Sequence, residues 1–138
     1  MAKNDSKSKA LPSGAVTELS RVFEWLQSRN ADFQSIGNIK IFSNTNGLAD
    51  ATNNLLKQFA AEVKSTPSTN RVTVIRFDQP AVIPVDQGWE VDLIPIYITK
   101  GPVVVGDEQL DMGYYFHLTK EVQVSGEFVA VLLLTQLA

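Results

Sequence analysis

His117 is the only histidine in the chain, and cysteine is absent. Nucleophilic or metal-assisted chemistry would therefore rest on carboxylates, hydroxyls and this one imidazole. Within a predicted strand, the residues that share the face of His117 are Tyr115, Thr119 and Glu121. Glu121 is placed to orient the imidazole as a general base, the way carboxylates hold such bases. A serine in a strand-to-helix elbow would complete a nucleophilic triad, and none stands in that pattern. A two-histidine metal site, a thiolate nucleophile and a disulfide are excluded by composition.

Glu90 and Asp92 project from one face of a second predicted strand, roughly 7 Å apart, a spacing that suits a carboxylate pair or a hard cation. Alternation of Trp89, Val91 and Leu93 with Glu90 and Asp92 is also how a half-buried strand reads. Asp107, Glu108 and Asp111 cluster at a turn but lack the calcium-loop pattern. Setting Gly47 or Gly106 at the required glycine leaves Phe42 or Gly101 where the first acidic ligand belongs. The eight glycines form neither phosphate-binding motif, and Tyr114 and Phe116 are expected to face the core, leaving only Tyr115 outside, without basic company for stacking nucleic-acid bases. The sequence thus assigns no catalytic residue, no cofactor or cofactor-binding residue and no metal.

These residues need elements to position them. At 138 residues, 44% hydrophobic and 20% charged, the chain is sized for one domain with a real core. Residues 1–12 read as a flexible polar tail carrying Lys3, Asp5, Lys7 and Lys9. A single α+β domain follows over 13–138, with a helical part at 13–65 and a β part at 71–138. Val16, Leu19, Val22, Phe23 and Leu26 recur at helical spacing and predict a helix over 14–29, with Ser13 as its cap. Ile39 to Phe42 predict a short strand. Leu48, Leu55, Leu56, Phe59 and Val63 predict a second helix, broken at Ser65 to Asn70.

Beyond Asn70 the sequence is strand-dense and turn-punctuated, which implies antiparallel pairing. Pro95 inside a strand predicts an edge or a bulge. Ser125-Gly126 suggests a two-residue turn joining Leu110–Val124 to Phe128–Leu137 in a hairpin. In that register Val129, Val131 and Leu133 meet an apolar partner face, while Phe128, Ala130, Leu132 and Leu134 lie beside His117, Thr119 and Glu121. The expected fold is two N-terminal helices packed on a four- to six-stranded antiparallel sheet, with a small β-sandwich or jelly roll with helical decoration as the alternative.

Net charge is −3, so no field draws in a polyanion and no nucleic-acid partner is expected. The apolar run Phe128 to Leu134 is far too short to span a bilayer, and no signal peptide is read, so the chain is expected to be soluble, in the cytoplasm or in a virion. The functional expectation is a structural or assembly protein, not an enzyme. It would act as a homo-oligomer, or with other structural proteins, through contacts that include Phe128, Leu132, Leu134, Tyr115 and His117. A phage-type virion part (capsid, neck or tail accessory) is one setting for it. The alternatives are a monomeric binding or inhibitor/immunity-type module and, further off, a small hydrolase.

Overall fold

The computed structural model describes residues 9–11, 13–27, 33–37, 39–43, 47–48, 50–52, 55 and 69–136. These form strands β1 (Lys9–Ala10), β2 (Phe33–Ile36), β3 (Ile39–Phe42), β4 (Thr69–Phe77), β5 (Ala81–Ile83), β6 (Trp89–Val105), β7 (Glu108–Gln109), β8 (Tyr114–Leu118) and β9 (Val122–Gln136), and helix α1 (Ser13–Gln27). Residues 47–48, 50–52 and 55 are helical. Leu48 and Leu55 from the expected second stripe are fully buried there, while Leu56, Phe59 and Val63 lie outside the described residues.

All the pairings are antiparallel. They build one nine-stranded sheet in the order β1-β8-β6-β9-β4-β3-β2, with β5 beside β9 and β7 beside β6. The expectation of two helices on a four- to six-stranded sheet is therefore corrected. Strand dominates, because β6 and β9 are far longer than turn residues alone suggested. β6 continues from the expected Trp89 strand through Gly101-Pro102 to Val105. β9 runs straight through Ser125-Gly126.

Those two strands form a ribbon that bends. Its register shifts between Pro95 and Tyr97, between Ile98 and Lys100, and between Lys100 and Val104, and each such irregularity adds local twist. Pro95 thus sits at a bulge as expected. Its strand is not an edge, since β6 lies between β8 and β9. The β8 pairing stops at Leu93, before the residue that has no N–H to give.

Bending gives the sheet a core on each face. Ala15, Leu19, Val22 and Leu26 of α1, spaced four, three and four residues apart, pack with Leu48, Leu55, Val74, Ile94, Ile96, Val131 and Leu133. Val16, expected in that stripe, is 40% exposed and Ala15 takes its place. On the other face Val103, Val105 and Val124 from the far half of the ribbon join Val91, Leu93, Phe116, Leu118, Phe128, Ala130 and Leu132 in a second core. Phe77 and Phe128, register partners, stack there with ring centroids 4.7 Å apart. The bent ribbon thus contributes residues from both of its halves to this core, beside residues of β4, β5 and β8, which brings the architecture closer to the sandwich alternative.

The last strand is apolar on both faces because it lies between these two cores. The expected hairpin between Leu110–Val124 and the last strand does not form: β8 and β9 flank β6 on opposite sides, so Leu118, Val91 and Leu134 share one row and Phe116, Leu93 and Leu132 another. At the start of the chain, part of the stretch read as a tail is held in place. Lys9–Ala10 pairs with Tyr115 and Tyr114, the Leu11 N–H donates to the Gly113 carbonyl at 2.9 Å, and Leu11 is buried.

Candidate functional site

Two groups of residues that the sequence presented separately meet in one cluster. β6 sets Glu90 and Asp92 on the helix-side face, and β8 sets His117 directly opposite Asp92. His117 Nδ1 lies 2.8 Å from Asp92 Oδ1, and His117 Nε2 lies 3.2 Å from Glu90 Oε2. Both ring nitrogens are therefore committed to carboxylates. Asp92 is 5% exposed, whereas the side chains of His117 and Glu90 keep about a quarter to a third of their surface in solvent.

The hydrogen bond to Asp92, aided by the charge of that carboxylate and by Glu90, pushes the His117 pKa up to about 9 against the opposing effect of burial. At neutral pH the ring is an imidazolium that donates from both nitrogens. A general base needs a nitrogen free to accept a proton near the working pH. What stands here is an ion-pair clamp tying β8 to β6. Glu121, the carboxylate expected to orient His117, lies past the end of β8 and is exposed; Asp92 and Glu90 take its place.

Tyr115 is buried on the same face, and its hydroxyl pKa is raised by burial first and by the charge of Asp92 second. The sequence reading turned Tyr115 outward and Tyr114 inward; the structure reverses them, with Tyr114 43% exposed. The reason is that both faces of β8 are covered, Phe116 by the second core and Tyr115 by the first. Of the other residues expected at an interface, Phe128 and Leu132 are fully enclosed in the second core. Leu134 and His117 are half-buried. Leu132→Asp would therefore place a carboxylate in that core and report on folding, at a cost of several kcal/mol, about 3 or more, measurable by chemical denaturation.

Asp107, Glu108 and Asp111 lie around the β6–β7 turn and the loop after it, where Gln109 Nε2 donates to Asp111 Oδ1 at 3.1 Å. Among the described residues, no group of three or more histidine or acidic side chains is arranged to hold a metal ion. No helix among them is long and apolar enough to cross a membrane. The signal that could have joined His117 to Glu90 and Asp92 was present in the sequence. Glu90 and Asp92 alternate with Trp89, Val91 and Leu93, His117 lies between Phe116 and Leu118, and buried charges of opposite sign seek one another. Compared with protein families and with curated proteins, the chain finds no match.

Proposed function

We propose that this chain is an assembly protein that acts as a homo-oligomer through protein–protein contacts, with β2 as the edge that receives the next copy. The observation that carries this reading is the character of that edge. Among the described residues β2 is the terminal strand of the sheet, and its sequence Phe33-Gln34-Ser35-Ile36 contains no charge and no proline. Those are the devices that ordinarily keep sheet edges apart. Gln34, Ser35 and Ile36 are exposed, Ile36 by 56%.

The hairpin register fixes which backbone groups point outward. Ile36 pairs with Ile39 across a two-residue turn in which Gly37 has φ of 59°. The pair flanking such a turn exchanges hydrogen bonds, and pairs alternate from there. Ile36 and Gln34 thus bond to β3, while Phe33 and Ser35 present their N–H and C=O groups to the outside. A second copy can add to this edge by strand augmentation, its Gln34 opposite the first Gln34 about a twofold axis. Because the contact is uncharged, association is expected to change little with salt. A phage-type virion part (capsid, neck or tail accessory) is the setting this proposal favours, on the abundance of Asn, Gln, Ser and Thr in the sequence and the polar composition of residues 1–12.

Absence of cysteine makes a direct test simple. In the proposed pairing, Gln34→Cys places two thiols in a non-hydrogen-bonded pair with Cα atoms about 4.5 Å apart, within disulfide reach. Mild oxidation is expected to convert most of this variant to a covalent dimer on a denaturing gel. Ser20→Cys, on the exposed side of α1, is expected to stay monomeric. Equal, slow cross-linking of the two variants would count against β2 as the contact.

A further inference from the structure

The helix-side face of the sheet carries a groove of about 610 Å³ beside the carboxyl-terminal half of α1. Its floor is Tyr97, Val129 and Arg76, part of a row across four strands. Tyr97, Val129, Arg76 and Lys40 are successive register partners on β6, β9, β4 and β3, so their side chains share a face. Phe23 and Leu26 of α1 and Phe33 of β2 add apolar walls. The rings of Phe23 and Tyr97 stack with centroids 5.1 Å apart. The volume falls in the range of pockets that take small organic molecules, and the lining sets the polar groups of Arg76, Gln27 and Thr99 beside apolar and aromatic side chains, a mix that suits an amphipathic ligand.

Among the described residues, the charge at one end of the groove is unbalanced. Arg76 Nε lies 3.2 Å from Asp78 Oδ1, and Lys40 Nζ lies 3.6 Å from Asp78 Oδ2. Two cations share one carboxylate, which leaves a local surplus of positive charge beside an aromatic slot. Arg76 engages Asp78 through Nε, and a guanidinium carries two terminal amino groups besides, in a fork that fits a carboxylate.

We propose that this groove binds a small amphipathic anion, an aryl or medium-chain aliphatic carboxylate whose apolar body lies against Phe23, Phe33 and Tyr97 and whose carboxylate meets Arg76. The site shares Phe33 with β2, through its side chain and not its edge backbone, and includes no residue of the His117 clamp. Neither of those readings depends on it.

Calorimetric titration of the full chain with 4-phenylbutyrate, and with 4-phenylbutanol as its neutral counterpart, tests this. The carboxylate is expected to bind at least about tenfold more tightly than the alcohol, the ratio expected of one charge-assisted contact. Arg76→Gln is expected to abolish that preference and Tyr97→Ala to weaken both ligands. Asp78→Asn removes the competing carboxylate and leaves the arginine in place, so it is expected to tighten phenylbutyrate and leave the alcohol unchanged. The proposal is overturned if phenylbutyrate shows no saturable binding up to ~10 mM, if the alcohol binds as well, or if the preference survives Arg76→Gln.

Discussion

His117→Ala is expected to destabilise the fold by about 2–4 kcal/mol, because it removes two charge-assisted hydrogen bonds and leaves the Asp92 carboxylate enclosed without its donor. The lower part of that range allows for the water that reaches His117 and Glu90. The same pair makes stability depend on pH with a definite sign. The folded pKa of about 9 lies above the 6.5 of a free histidine, so folding favours the protonated ring. The contribution is complete below about pH 6.5, declines as pH rises through about 9, and is gone above it. A shift of that size corresponds to at most about 3.5 kcal/mol. Urea unfolding at pH 6 and pH 9.5 is expected to show this loss in the native chain. His117→Gln, which keeps a donor but does not titrate, is expected to flatten the slope. A native chain as stable at pH 9.5 as at pH 6 would show that the clamp contributes nothing.

Gly126→Ala is expected to cost about 2–5 kcal/mol, combining a strained backbone with overpacking. Gly126 has φ of 103°, and a Cβ built there would lie 2.7 Å from the Pro102 carbonyl oxygen and 3.1 Å from Val103 Cα. Both neighbours are backbone and cannot swing aside. Between the pairs Lys100↔Glu127 and Val104↔Ser125 the ribbon sets residues 101–103 against this single glycine. The close approach therefore lies at the bend that brings Val103, Val105 and Val124 into the second core. Gly88 is the control. It has φ of 85°, but nothing lies within 4 Å of its Cβ position, so Gly88→Ala is expected to cost only the strain, about 1–2 kcal/mol. Equal costs at the two sites, read from denaturant midpoints, would remove the packing argument.

Local signals in the sequence carried the local structure well. The apolar spacing of Leu19, Val22 and Leu26 predicts α1, which runs to Gln27; residues 28 and 29 of the expected helix lie outside the described residues. Ile39 to Phe42 form β3, and antiparallel pairing holds throughout the described residues. What was not legible is which strands lie side by side. Ser125-Gly126 reads as a turn because glycine is permissive, and that permissiveness serves here to let the Pro102 backbone approach. Misplacing that one feature moved β8 from β6 to β9 and, with it, His117 from Asp92 to Leu134. A slip of this kind turns faces over, since strand side chains alternate. The apolar last strand was visible from the start; that it lies between two cores depends on long-range pairings that no local pattern encodes.

Mass in solution, by light scattering of the intact chain beside Ser35→Pro, tests the central claim most directly. Ser35 presents its N–H outward in the register given above, so proline there removes a donor that the ladder to β3 does not use. The native chain is expected to scatter as a dimer or larger, while Ser35→Pro scatters with the mass of one chain and an unchanged circular dichroism spectrum. A native chain that remains a monomer at every concentration would contradict assembly through this edge.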